Sequence, residues 1–196
     1  TWRIANDPQP CDGKMGTIWP PLADALINIL QVPIGFINTA VGATSTSQWL
    51  PGGKIFTRMV QSAKHAGKFR AVLWQQGESD VIENTSTETY VSRLIRIRSE
   101  FAARIGYNPP WLLAKSTLHP TVYKKPKQET AIRKAIDILC QYHGFEYGPD
   151  TDILDGENRG DMQSMRHFTA IGQYRAALLW FASIYNFLQR KKQTDS

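Results

Sequence analysis

Short apolar runs spaced far enough apart to hold a helix between them constrain this chain more than any other feature. They are Pro33-Ile-Gly-Phe-Ile-Asn38, Arg70-Ala-Val-Leu-Trp-Gln75 and Pro110-Trp-Leu-Leu-Ala-Lys115, with a weaker fourth around Phe145-Glu-Tyr147. Runs apolar on both faces suit strands of a parallel sheet covered by helices on each side. The intervening segments carry helical spacing. Pro20 or Pro21 opens a helix containing Leu22, Leu26 and Leu30, and Ile55, Met59 and Ala63 share a face of the next. Thr85-Ser-Thr-Glu88 reads as a capping box ahead of a stripe of Tyr90, Leu94, Ile97 and Phe101, with Gly106 as the stop. Two more helices are expected over about residues 126–142 and 170–189. Strands alternating with helices of this length predict a doubly wound α/β fold. Neither an internal repeat nor a linker interrupts the pattern, so a single domain is expected.

Composition narrows the function classes. With 196 residues, 42% of them apolar, the chain has enough material for a globular core. No run approaches the roughly 18 consecutive apolar residues of a membrane span. The net charge of +6 invites a nucleic-acid reading. That reading needs basic and aromatic residues gathered on one face. Here the charge is spread over several helices, with small clusters at Lys124, Lys125, Lys127 and at Arg190, Lys191, Lys192, as solvated faces carry it. Neither nucleic acid nor membrane is an expected partner. Cys11 and Cys140 are too few for a zinc site or a disulfide framework, and leave room for one bridge.

Ligands bind such sheets where the strands end. The first run is followed by Thr39-Ala-Val-Gly-Ala-Thr-Ser-Thr-Ser-Gln-Trp49, the second by Gln76-Gly-Glu-Ser-Asp80, and the fourth by Gly148-Pro-Asp-Thr-Asp152 and a long irregular stretch up to His167. Gln76 offers a side-chain N–H to a developing oxyanion, and Gly77 permits a close backbone approach. Alternatively, Gln76 and Glu78 hydrogen-bond neighbouring loops to hold them still. Small residues at Ala40-Val-Gly-Ala can turn backbone N–H groups into a pocket. Ser45 and Ser47 follow, but neither sits in a Gly-x-Ser-x-Gly elbow. His167 stands just before a helix that Thr169 can cap, six residues after Asp161. An imidazole oriented by a carboxylate is the base of a hydrolytic triad.

Those blocks, together with Asp7-Pro, Trp19-Pro, Gln48-Trp-Leu-Pro-Gly52 and His167-Phe-Thr-Ala-Ile-Gly172, resemble the sialate O-acetylesterase and acetylxylan esterase branch of the SGNH hydrolases. The likeness runs through nearly the whole chain in the family's order, and Trp74-Gln-Gln-Gly-Glu-Ser-Asp80 is its most specific element. It implies a three-layer α/β/α flavodoxin-like fold and a Ser-His-Asp triad cleaving acetyl esters on sugars, with no metal or organic cofactor. It also implies a secreted or periplasmic setting. By position, His167 matches the family's histidine, Gly42 the first glycine of its oxyanion loop and Gln76 its glutamine beside the reacting carbonyl, while Ala43 replaces the second glycine. The family's aspartate falls three residues before its histidine, where this chain has Ser164. Asp161 takes that part if residues 162–166 hold a three-residue insertion; otherwise the triad lacks its acid.

The resemblance puts the nucleophilic serine in a Gly-Gln-Ser-Asn block on a first strand ahead of the region matching Thr1. No such block occurs in these 196 residues. In a flavodoxin-like order that strand lies between the 33–38 and 70–75 runs, which would otherwise expose long apolar edges. A complementing N-terminal segment or separate chain is therefore expected. Two further readings stay open: a carbohydrate-binding relative with an incomplete triad, suggested by Ala43 and Ser164, and an SGNH esterase or lipase on another ester. Polar loops and Trp49, a residue able to stack on sugar, speak against the lipase.

Overall fold

The computed structural model describes residues 4, 6, 7, 16–160 and 164–194. Its centre is a parallel sheet of β1 (Val72–Gln75), β2 (Trp111–Lys115) and β3 (Glu146–Asp150), in the order β1-β2-β3. Val72 to Gln75 run in register with Trp111 to Ala114, and Leu112 and Leu113 with Glu146 and Tyr147. Side chains alternate across β2. Trp111 and Leu113 enter one core, with Trp74 of β1 and residues of α2 (Lys54–Ala66), α4 (Thr87–Ile105) and α5 (Pro126–Tyr142). Leu112 and Ala114 enter the other, against Leu22 and Leu26 of α1 (Trp19–Leu30) and Ala177, Trp180 and Phe187 of α6 (Ala170–Thr194). These are the three layers of an α/β/α fold, and Trp111 to Ala114 are completely buried in the middle one.

The helices form where the apolar stripes lie. Leu22, Ala23 and Leu26 are the buried positions of α1, Tyr90, Leu94, Ile97 and Phe101 those of α4, which ends at Gly106. In place of the expected capping box there is a simple N-cap one residue later: Ser86, its hydroxyl accepting from the Thr89 N–H. The weak fourth strand is a full one, shifted to residues 146–150, and α6 extends five residues beyond 189. A short α3 (Glu78–Ile82) follows β1 directly. Among the described residues, no helix is long and apolar enough to cross a membrane.

One expected strand is corrected. The 33–38 run keeps strand-like alternation, with Ile34 and Phe36 half-buried against the α1/α6 core and Gly35 and Ile37 exposed. It pairs with no strand among the described residues. The reason is spatial: a cleft of about 2060 Å³ separates it from β1. Walls from both helix layers, Leu26 and Phe187 on one side and Met59 and Phe101 on the other, line that cleft, which therefore passes through the sheet layer.

At the far edge, Arg133 of α5 pairs with Asp150 and with Asp152, the latter at 2.7 Å. Burial alone would raise the pKa of Asp150, but the hydrogen bond and charge of Arg133 outweigh it and hold the carboxyl below its ordinary value. A depressed folded value means stability present above the unfolded pKa and lost as pH falls through the folded one. Asp150→Asn should therefore lower the urea midpoint at pH 7, and the gap to wild type should close as pH drops below the ordinary carboxylate range.

Candidate active site

The loops after β1, β2 and β3 meet at one edge of the sheet, and a buried carboxylate ties the first of them down. Asp80, fully buried, accepts from the Thr46 N–H (2.8 Å), the Thr46 hydroxyl (2.7 Å) and the Gln76 side-chain amide (2.6 Å), with the Arg93 guanidinium 3.6 Å away. Gln76 Nε2 also donates to Thr44 O (3.1 Å), and its Oε1 accepts from the Tyr90 hydroxyl (3.1 Å). Both amide hydrogens of Gln76 are thus engaged in holding the 44–46 loop, and neither points to a substrate oxygen. Burial and the charge of Asp80 push the Tyr90 hydroxyl far above its ordinary pKa, so it stays a donor.

Gly77 is required by proximity. A Cβ there would sit 2.5 Å from the Ser116 carbonyl oxygen, so any side chain would separate the loops after β1 and β2. The same junction carries Glu78, whose carboxylate accepts from the Ser116 hydroxyl (2.8 Å) and whose carbonyl lies 3.0 Å from His119 Nε2. The loop after β2 is fixed in turn by Asp152, which accepts from the Thr117 N–H and hydroxyl (2.7 Å each) and the Leu118 N–H (3.0 Å).

The histidine loop is held by a residue whose bracing role the sequence did not show. Arg159, 3% exposed, donates from Nε to Leu154 O (2.6 Å), from Nη1 to Arg166 O (2.6 Å) and from Nη2 to Thr151 O (2.8 Å). Its guanidinium lies 4.5 Å from the Phe168 ring centroid. Burial lowers its pKa from the ordinary value, opposed first by Glu78. Gly160 N–H bonds to His167 O and Thr169 N–H to Asn158 O, both at 3.0 Å, closing the loop's base. At Gly172 an added Cβ would fall 1.9 Å from Asn158 O, so α6 packs directly on that base. Thr169 caps α6, accepting from the Gly172 N–H.

His167, Gln76 and Glu78 line one cleft, the same that separates β1 from the 33–38 segment. Ala40, Val41 and Thr44 line it too, while Gly42 stands on the exposed turn just past Val41. Ala43 takes a left-handed φ of 54°, a conformation made for glycine. Ser45 is fully buried, its hydroxyl 2.7 Å from that of Ser47, and neither lines the cleft. Trp49 is no sugar platform: it is 6% exposed, edge-on to Trp74 at 5.2 Å, with Nε1 donating to Thr44. Asp161 and Cys11 lie outside the described residues. Cys140 is half-buried between α5 and the sheet, where burial pushes its thiol up to about 12.

A family model described as carbohydrate esterase, sialic acid-specific acetylesterase matches residues 1–180. This chain belongs to that family. Over 108 residues it is 34% identical to an Arabidopsis thaliana protein named "Probable carbohydrate esterase", a stretch covering 49% of this chain and 42% of that protein. The match thus spans less than half the relative's length. A crystal structure of an Arabidopsis thaliana protein superposes with a TM-score of 0.66 at 24% identity, covering 85% of this chain and 67% of the other. That likeness is one of fold, and it agrees with the three layers described above. The Trp74–Asp80 block lies within the matched residues. Asp80 was visible in that block, but its pairing with Thr46, 34 residues away, was not.

Asp80→Asn would set an amide N–H against donors, and is expected to cost roughly 2–3 kcal/mol in urea unfolding. Ala43→Gly should relieve about 1–2 kcal/mol of left-handed strain against about 0.5–1 kcal/mol of added chain entropy. A net gain of roughly 0.5 kcal/mol is expected in the same assay.

Proposed function

We propose that this protein is a carbohydrate O-acetylesterase, removing acetyl groups from sugars of the sialate or xylan type by serine acyl transfer. The observation carrying the reading is that His167 and the Gln76–Glu78 turn open onto one cleft from separate loops. Family membership supports the ester chemistry and the carbohydrate class.

In this mechanism His167 takes the proton from a serine hydroxyl as the oxygen attacks the acetyl carbonyl. Backbone N–H groups of the turn at Gly42 face the developing oxyanion, and Gln76 and Asp80 hold that turn in place. His167 then returns its proton to the departing sugar oxygen, and water releases acetate from the acetyl-serine by the same route in reverse. Asp161 is the proposed orienter of the imidazole.

The serine comes from outside residues 1–196, on a strand that fills the cleft. Crossover handedness supports this. α4 and α5 join β1 to β2 and β2 to β3 on one face, and α2 joins the 33–38 run to β1 on that same face. α1 lies on the opposite face, so a right-handed crossover into the 33–38 run brings the preceding strand from the β1 side. That position is the cleft. Val72 N–H bonds to Pro110 O toward β2, so the backbone groups of Leu73 and Gln75 alternate toward the opening. The occupant is an extended segment of the same polypeptide preceding α1, and its C-terminal end reaches the rim where His167 stands.

In the native full-length protein, His167→Ala should reduce acetyl release from acetylated xylan and an aryl acetate by on the order of a thousandfold, with an unchanged circular dichroism spectrum. Retained activity removes His167 from the mechanism. Asp161→Asn should cost far more than Asp155→Asn, and equal effects would remove the insertion argument. Amide exchange at Leu73 and Gln75 should be slow in the full-length protein and fast in residues 1–196 alone. Equal rates would argue against strand insertion.

A further inference from the structure

The last helix is apolar on two faces, and the fold uses only one of them. Ala176, Ala177, Trp180 and Phe187 of α6 are buried against the sheet. Across the helix from that row, Ile171, Tyr174 and Leu178 are 51%, 57% and 41% exposed. Phe181 and Tyr185 carry the outer row onward, half-buried, their rings stacked with centroids 5.9 Å apart. The steps from 171 to 174, 178, 181 and 185 alternate three and four, the repeat of a helix that packs lengthwise on another helix. A helix apolar all round is a buried one in its native surroundings. None of these outer residues lines the cleft, so the acetyl-cleaving centre makes no use of them.

The stripe is complementary to itself. It carries no charge, so two copies meet without like-charge repulsion along the seam, and a strongly charged partner finds no counter-charge there. Leu178 is its midpoint. A two-fold axis at that residue lays two α6 helices antiparallel and covers each stripe with the whole of the other. Position 174 then faces position 182 of the copy, setting the bulky Tyr174 ring over the small, exposed Ala182. Position 181 faces position 175, setting the Phe181 ring against an Arg175 guanidinium that its pairing with Glu157 leaves 45% exposed, a cation–π contact. The stripe is roughly 21 Å long. Closing it from both sides removes on the order of 1,000 Å² from water, the area of a weak, reversible dimer.

We propose that the protein pairs with a second copy of itself through the outer face of α6, with Leu178 on the two-fold axis. The pairing is independent of the chemistry in the cleft.

Sedimentation velocity on the full-length protein over about 1–100 µM should show a reversible monomer–dimer equilibrium. Leu178→Lys and Leu178→Glu should each raise the dissociation constant at least about a hundredfold, because the axis counts every change twice. Tyr174→Ser, a milder change, should raise it at least about tenfold. All three should keep the wild-type circular dichroism spectrum, since the substituted side chains are on the surface. An equimolar mixture of Leu178→Lys and Leu178→Glu should associate at least about tenfold more tightly than either alone, because the introduced ammonium and carboxylate meet at the axis. Tyr142→Glu, at the exposed end of α5 in the opposite helix layer, should leave the dimer unchanged. A wild-type monomer at every concentration overturns the proposal, as does a dimer that survives both Leu178→Lys and Tyr174→Ser. Leu178 variants that stay apart when mixed, or equal dissociation by Tyr142→Glu, also overturn it.

Discussion

The candidate site depends on one buried carboxylate. Asp80 has no solvent to lean on, and its carboxylate oxygens are filled instead by hydrogen bonds from Thr46 and Gln76, with Arg93 nearby. Removing an ion from water costs several kcal/mol, and such a group persists where its lone pairs are filled. Here the donors belong to the loop after the 33–38 run and to the end of β1. Satisfying Asp80 and aligning those two loops are therefore the same event.

Arg159 plays the complementary part on the other side of the rim. Asp80 gathers donors, whereas Arg159 gathers carbonyl acceptors from residues 151, 154 and 166. Irregular loops cannot satisfy their own backbone groups as helices and strands do. A charged side chain at the centre of each loop supplies what secondary structure would have supplied, and fixes the loop's path with it. The sheet between them is apolar at its centre, where Trp111 to Ala114 are completely buried, and contributes position rather than chemistry.

Much of this was legible in the sequence, and the reasons are local. The stripe of α4, the strand cores of β1 and β2 and the cap at Thr169 all follow from spacing and side-chain type within a few residues. So did the convergence of loops at one edge, because alternating strands and helices fix where strand ends lie. What spacing could not show were partners far apart in the chain. Trp49 looked like a surface aromatic in a polar loop, yet Trp74 and Thr44 enclose it. Gln76 could be read either as a donor to substrate or as a brace for neighbouring loops, and its amide braces the loop from Thr44 to Thr46. Arg159 stood in a recognisable Glu157-Asn-Arg159 run, but nothing in that run showed the carbonyls it gathers. The 33–38 run had the composition of a strand, but composition cannot provide a neighbour to pair with.

The base of the histidine loop is pinned from three directions: a bridge between Arg159 and Phe168, the Gly160–His167 hydrogen bond and the bare backbone of Gly172 against Asn158. Chain added or removed between the two arms of that clasp changes the size of the loop without carrying the imidazole away from the rim. The position of the imidazole is thereby uncoupled from the length of chain ahead of it.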